Sequence, residues 1–375
     1  MKILFIVMRF GKDGLATNIL DLTKGMVQRG HEVHIITSGF KIKSSSNTEF
    51  FDNLKNEFKH LGVHMHYFTE PKGGAIKKGI STIKSFSKVM SMVKNINADV
   101  IHCHSPNMTF VPWLLGKKCV STVHADTITP NFRYKHPTLL IAVSEGSKEF
   151  TERVMHSPTD SIRMVYHGID ERFAEVEDAT TLTALKIKEQ IPTDKIIIGV
   201  VGRITPMKGQ DVLVNAIGKY LTPELKKRIH IVLVGDYESN GSKEWFDTFL
   251  KDNNLQNQIT ILSFRDPKPY YQLFDVFVLP SRSDTFGLVA VEAMMSKCCV
   301  IRSNSNGAYD QITDGENGFI FKMDDEAALA KLLLKVLTDE NLRKKLGEAA
   351  KKTALQKFTK TQMINNTLEV YKELL

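Results

Sequence analysis

The sequence predicts an α/β protein organised around two doubly wound parallel sheets. Three observations lead there. Short apolar, β-branched runs recur along the chain, stretches of helical period separate them, and 375 residues exceed what one core usually organises. Continuous apolar runs mark strands buried on both faces, as parallel strands covered by helices are. The makeup, 42% hydrophobic and 25% charged, is that of a globular chain.

Taken in order, Ile3 to Met8 reads as the first strand, and Arg9 to Gly14 as a turn holding Gly11 and Gly14. A helix then carries Ile19, Leu22, Met26 and Val27 inward and stops at Gly30. Further strands are expected from Val33 to Thr37, Val63 to Phe68, Val100 to His102, Cys119 to His124, Leu139 to Val143 and Ile162 to Tyr166. Between them, Ile76, Ile80, Ile83, Phe86, Met90 and Val93 recur at helical spacing among lysines. This segment is expected to cover the sheet as a surface helix, although a basic amphipathic helix of this kind can also rest on an anionic bilayer. The polar, acidic stretch 171–183 reads as a linker.

The second half repeats the theme, with strands expected from Ile196 to Val201, Ile231 to Val234, Ile259 to Leu262, Val276 to Leu279, Cys299 to Ile301 and Phe319 to Phe321. A last helix, Thr359 to Leu375, carries Met363, Leu368, Val370, Tyr371 and Leu374. The expected division is therefore a first lobe over 1–170, joined by 359–375, and a second over 184–358, two Rossmann-like lobes facing a cleft.

Charge and composition bound the partners. The net charge is +8, with Lys41, Lys43, Lys55, Lys59, Lys72, Lys77, Lys78, Lys84, Lys88 and Lys94 in one stretch. Such a surface attracts anions, but no nucleic-acid module and no aromatic interleaving accompany it, so nucleic acid is not an expected partner. No apolar run approaches the roughly 20 residues of a membrane span, and Met1-Lys2-Ile3-Leu4 opens a strand rather than a signal peptide. The expected location is cytoplasmic, with peripheral contact to the inner face of a membrane left open by the basic helix. Cys103, Cys119, Cys298 and Cys299 show no spaced framework and read as reduced thiols.

Two segments carry chemistry. Gly202-Arg203-Ile204-Thr205-Pro206-Met207-Lys208-Gly209 follows a buried strand directly. A strand, a glycine and two cations ahead of a helix make a phosphate-binding arrangement: the backbone can approach the ligand, the helix offers free N–H groups, and Arg203 and Lys208 add charge. The bland reading is a solvated basic loop. Pro280-Ser281-Arg282-Ser283-Asp284-Thr285-Phe286-Gly287, ahead of Leu288 to Met294, sets Asp284 and Glu292 either side of a turn after another strand. Ligands of open parallel sheets collect beyond the carboxyl ends of strands, so these acids are candidate ligand groups. Here the bland reading is a capped helix, with Asp284 as N-cap and Glu292 solvated.

In the first half, His124 ends a strand, where a lone histidine is on its own most often a hydrogen-bonded structural residue. His102 and His104 invite a metal reading, but alternation sends both to one face with no carboxylate pair beside them.

Together, Gly-Arg-x-x-x-x-Lys-Gly (202–209) and Pro-Ser-x-x-acid-x-Phe-Gly-x-x-x-x-Glu-Ala-Met (280–294) resemble the donor half of the GT-B-fold retaining glycosyltransferases of family 4, and the resemblance extends across nearly the whole chain. It implies the GT-B architecture, with the last helix crossing back to the first lobe. It also implies a transferase moving sugar from a nucleotide-sugar co-substrate, with no other cofactor and no metal, to a glycan, glycolipid or other cell-surface acceptor.

By resemblance, Arg203 and Lys208 stabilise the departing diphosphate, and Glu292 accepts the ribose hydroxyls. Asp284 with the backbone of Thr285, Phe286, Gly287 and Leu288 holds sugar and diphosphate, Gly14 lies near the donor phosphates, and His124 contacts the transferred sugar. A UDP-sugar is favoured over GDP-mannose. Two departures stand out: the first acid is Asp284 where the family most often has Glu, and Asn306-Gly307-Ala308-Tyr309-Asp310 replaces Gly-Gly-x-x-Glu. Another GT-B enzyme, such as a nucleotide-sugar epimerase, and a non-catalytic nucleotide-sugar-binding subunit are the alternatives.

Overall fold

A computed structural model of the chain describes every residue except 13, 42–47, 71–74, 126–128, 130 and 132, together with the backbone only of 75–80. Lys43, Lys72 and the Asp13 of the first glycine turn lie outside the described residues, as do the side chains of Ile76, Lys77, Lys78 and Ile80. The chain forms two compact units, Met1–Gly168 with Lys360–Leu375, and Ile169–Thr359. The stretch 171–183 that the sequence marks as a linker belongs to the second unit, because Phe173 is buried there and Arg172 is paired with Asp266.

The first unit holds seven strands: β1 (Lys2–Val7), β2 (Glu32–Thr37), β3 (His64–Tyr67), β4 (Val100–Cys103), β5 (Val120–Val123), β6 (Leu139–Ala142) and β7 (Ile162–Met164). They lie parallel in the order β3-β2-β1-β4-β5-β6-β7. The strands expected from 63, 119, 139 and 162 are one or two residues shorter than the apolar runs that announce them, because apolar side chains just past a strand end still bury under loops. The helix Gly14–Gln28 buries Ala16, Ile19, Leu22 and Met26, and packs with Met363, Ile364, Val370, Tyr371 and Leu374 of the last helix, Lys360–Leu374. In the basic helix Ala75–Ile96, Val89 and Val93 join the core with Phe86 and Met90 beside them, which is the sheet-covering arrangement, while Ile83 is 70% exposed instead of facing inward.

The second unit holds six parallel strands: β8 (Ile196–Val201), β9 (Ile229–Val234), β10 (Ile259–Leu262), β11 (Val276–Leu279), β12 (Cys299–Ser303) and β13 (Phe319–Phe321). Their order is β10-β9-β8-β11-β12-β13. In both sheets the strand order reverses beside the first strand of the unit, the point where doubly wound sheets gather ligands. In the second unit β8 and β11 flank that point, and they are the two strands that feed the basic and acidic motifs. All four cysteines are buried and free.

Candidate functional site

The two motif loops of the second unit are welded at several points. Pro206–Lys208 forms one 3-10 turn, and Gly209 then sits at φ 67 as the cap of the helix Gln210–Tyr220. A Cβ on Gly209 would stand 2.1 Å from the carbonyl oxygen of Pro280, so glycine is required both for the left-handed turn and for the approach of the second loop. Arg282 completes the weld: its backbone N–H donates to the Met207 carbonyl at 2.9 Å, and its guanidinium holds Asp211 through bonds of 2.9 and 2.7 Å. Gln210 anchors the first loop by donating to the Arg203 carbonyl at 2.8 Å.

This frame brings Lys208 and Asp284 together. Lys208 Nζ donates to Asp284 Oδ1 at 2.7 Å, with only 24% and 13% of the two side chains exposed. The other carboxylate oxygen, Oδ2, is buried without a hydrogen bond. Asp284 is not the helix cap: Gly287, at φ 80, occupies that position of Leu288–Met295 and offers no side chain. Phe286 and Gly287 are buried, whereas Thr285 and Leu288 are partly exposed. Arg203 lies apart from the pair and reaches Glu238 at 2.7 Å, both largely in solvent, a contact too weakly held to fix the guanidinium.

Glu292 is partly buried on the second turn of Leu288–Met295 and accepts the Tyr271 hydroxyl at 2.7 Å. Burial pushes its carboxyl up to about 7, against the stabilising Tyr271 bond and the positive charge of Arg172, with Asp266 adding to the rise. Arg172 is held by Asp266 through bonds of 2.6 and 2.9 Å, so the segment expected to be a linker instead sets the field around Glu292. Tyr271 itself is fully buried.

Arg302, the second-last residue of β12, is a functional candidate that sequence reasoning passes over. It is fully buried, and its guanidinium donates to the Phe286 carbonyl at 3.2 Å, the Asn306 carbonyl at 3.1 Å, Ser305 Oγ at 3.2 Å and Gln311 Oε1. Burial lowers it to about 10, while the charges of Asp284 and Asp310 work the other way. A Cβ on Gly287 would meet the guanidinium at 3.3 Å. The two altered segments of the motif, 284–287 and 306–310, are thus tied to one buried cation. A strand-end arginine normally reads as a solvated edge residue, so only its place among Asp284, Asn306 and Asp310 could have signalled this.

In the first unit Gly14 opens the helix Gly14–Gln28 and His124 follows β5, partly buried. His124 Nε2 and His104 Nδ1 are 3.0 Å apart, and His124 stacks on His167 at 5.5 Å between centroids. His167 in turn faces Asn18 at 3.0 Å. His102 bonds Thr122 and Tyr371, each at 2.7 Å. Burial, helped by the neighbouring imidazoles, holds His104 and His124 well below the usual histidine range, and lowers His102 to about 3 and His167 to about 4. These rings are neutral at pH 7, so His124 is suited to hydrogen bonding rather than to donating a proton from a cationic ring. His124 Nδ1 and His104 Nε2 are buried without partners among the described residues. Among the described residues, the group with three clustered metal-ligand side chains is Glu32, His34 and His64, on β2 and β3, which β1 separates from β4 and its His102.

The two parallel sheets define a two-lobed GT-B fold. Residues 183–353 match the family of glycosyl transferases group 1, and residues 12–173 match Glycosyltransferase Family 4. The chain belongs to the family 4 glycosyltransferases and is a glycosyltransferase enzyme. It is 25% identical to an uncharacterized glycosyltransferase of Methanocaldococcus jannaschii over 96% of this chain and 94% of that protein. It is likewise 25% identical to the N-acetyl-alpha-D-glucosaminyl L-malate synthase of Bacillus anthracis, over 95% of this chain and 92% of the relative. Among solved structures, a Rickettsia africae glycosyltransferase superposes with a TM-score of 0.84 at 22% identity, covering 100% of this chain and 98% of the other. Anabaena HepE, solved in complex with UDP, gives 0.82 at 19% identity with all of both chains covered. No helix among the described residues is long and apolar enough to cross a membrane.

Proposed function

We propose that this glycosyltransferase moves a hexosyl or N-acetylhexosaminyl group from a UDP-sugar to a glycan, glycolipid or other cell-surface acceptor, with retention and without a metal. The observation that carries the reading is the half-sheltered Lys208–Asp284 pair at 2.7 Å, beyond the strands that flank the reversal of the second sheet. The complexes of HepE with UDP and with UDP-glucose, and the glucosaminyl group in the name of the Bacillus anthracis relative, support the choice of donor.

In this reading the bond from the anomeric carbon to the diphosphate oxygen breaks, and its electron pair leaves on the phosphate. Lys208 meets that growing charge, and Arg203, freed from its exposed partner Glu238, joins it. The acceptor hydroxyl attacks from the face the leaving group departs, and its proton passes to the phosphate oxygen, so no protein carboxylate is needed as base. Asp284 holds the sugar hydroxyls through its unpaired oxygen, Glu292 takes the ribose, and neutral His124 serves as a hydrogen-bond partner to the transferred sugar. Gly14 allows the backbone near the diphosphate.

The test is a mass-spectrometric screen of nucleotide sugars against lipid-linked and soluble acceptors, run with and without a chelator. Transfer from a UDP-sugar that survives chelation is expected, with Lys208→Ala lowering turnover by at least about 100-fold, the scale of losing one group that meets transition-state charge, and Glu292→Ala nearly abolishing transfer through loss of the hold on the ribose. Near-normal turnover in either variant removes the donor-site assignment, and dependence on added metal removes the metal-free mechanism.

A further inference from the structure

The edge of the first sheet carries a cluster that sugar transfer does not use. β3 is an edge strand beside β2, and the register sets His34 opposite His64. Because side chains two apart share a face, Glu32 and His34 of β2 lie on the same side as His64 and His66 of β3. The rings confirm the shared face: His34 stacks on His64 at 4.6 Å and on His66 at 5.3 Å between centroids.

We propose that Glu32, His34 and His64 form a site for one divalent transition-metal ion of the zinc class, with His66 as a positioning residue. One ligand atom from each of the three lies within 4.8 Å of the other two. His34 Nε2 is 2.7 Å and His64 Nε2 4.0 Å from Glu32 Oε1. Four-coordinate zinc with bonds of about 2.0–2.1 Å needs ligand atoms about 3.3 Å apart. Closing the set therefore asks for a shift of about an ångström, and the ends that must move, Glu32 and His64, are 49% and 57% exposed. The fixed member is His34, which is buried. Its second ring nitrogen, Nδ1, lies 3.1 Å from His66 Nε2. In this structure Nε2 carries the proton it donates to Glu32; with an ion on Nε2 the ring takes the other tautomer, whose Nδ1–H donates to His66, the orienting bond a ligating histidine characteristically makes.

The donor set chooses the ion. Two imidazoles and one carboxylate suit zinc, copper(II) or nickel(II), whereas magnesium and calcium want oxygen-rich sites. The exposed side leaves a fourth position for water. The competing cation is Lys2, whose Nζ stands 3.9 Å from Glu32 Oε1 and is itself exposed, so a divalent ion can displace it. A bound ion would clip the edge strand β3 to β2, independently of Lys208, Asp284 and Glu292, which belong to the second unit.

The experiment uses the untagged full chain, stripped with a chelator and titrated with zinc by calorimetry. Cobalt(II) absorption and thermal unfolding serve as second readouts. Binding of one zinc per chain is expected, with a zinc-dependent rise in the unfolding midpoint. His64→Ala and Glu32→Gln, both at exposed positions, should weaken it by at least about tenfold, and His66→Ala by about tenfold through loss of the orienting bond. His136→Ala, an exposed histidine elsewhere in the unit, should leave it unchanged. Failure to bind zinc stoichiometrically overturns the site. So does binding that survives both His64→Ala and Glu32→Gln, since that would place the ion elsewhere.

Discussion

At the residue scale, Glu292 makes the sharpest prediction, because its folded and unfolded chemistry differ. Its carboxyl titrates near 7 in the fold against an ordinary value of 4.5, chiefly from burial. The neutral form is the one the fold prefers, so its contribution to stability is complete below the unfolded value and is lost as pH rises through about 7. Gln keeps the shape and accepts the Tyr271 hydroxyl without ever ionising. The stability of Glu292→Gln relative to the parent should therefore climb between about pH 5 and pH 8, by up to roughly 3 kcal/mol. Thermal denaturation across that range measures it, and parallel curves for the two proteins would show that Glu292 is not strained. Both acids of the motif were visible in the sequence as residues. Their environments were not: Tyr271 lies in a short Pro-containing turn that reads as loop, and Arg302 has the type and position of an exposed residue. Burial of a single polar side chain depends on which loops fold over it, and spacing along the chain does not report that.

At the scale of elements, the site rests on two turns touching, and glycine decides whether they can. Gly209 combines a left-handed φ of 67 with a Cβ position 2.1 Å from the Pro280 carbonyl oxygen. Gly209→Ala should destabilise the protein by about 2–4 kcal/mol, from backbone strain plus displacement of the acidic loop, and should lower transfer out of proportion to any loss of folded protein. Gly241 is the contrast: it lies in the helix Asn240–Asp252, and a Cβ there meets nothing closer than Ser239 Oγ at 3.7 Å, so Gly241→Ala should be neutral or stabilising by about 0.5–1 kcal/mol. Denaturant unfolding and a donor-turnover assay on the two variants separate the cases; equal stability would refute the contact argument. Strands and helices were largely legible because apolar β-branched runs and helical periodicity are local signals. The order β10-β9-β8-β11-β12-β13 was not, since it rests on contacts between residues far apart in sequence, and it was this order that set the two motifs on neighbouring strands.

At the scale of the molecule, the first unit is completed by residues that are last in the chain. Met363, Val370, Tyr371 and Leu374 are buried in a core with Ile19, Leu22 and Met26, and each is worth about 1.5–3 kcal/mol of apolar burial. Polar contacts fix the register: Lys360 pairs with Asp21 at 2.7 Å, the Tyr371 hydroxyl meets the buried His102 at 2.7 Å, and a Cβ on Gly25 would overlap Ile364 at 2.2 Å. Sequence periodicity marked this helix as amphipathic, while its destination came from family resemblance, because an apolar stripe does not name the surface that covers it. The consequence is an asymmetry between the units. Removing 360–375 strips the first core of a face and leaves His102 without its tyrosine, while the second core draws on residues between Ile196 and Leu346. Limited proteolysis of the truncated chain should therefore digest the first unit while a fragment spanning about 169–359 resists, with mass spectrometry reading the boundaries. Tyr371→Phe isolates the polar part: it keeps the ring and removes the bond to His102, and it should cost about 1–3 kcal/mol, all of it from the first unit's transition. If both units were to become protease-sensitive together on truncation, the last helix would be stabilising the whole chain rather than closing one core, and the division at Gly168 and Lys360 would no longer describe how the protein unfolds.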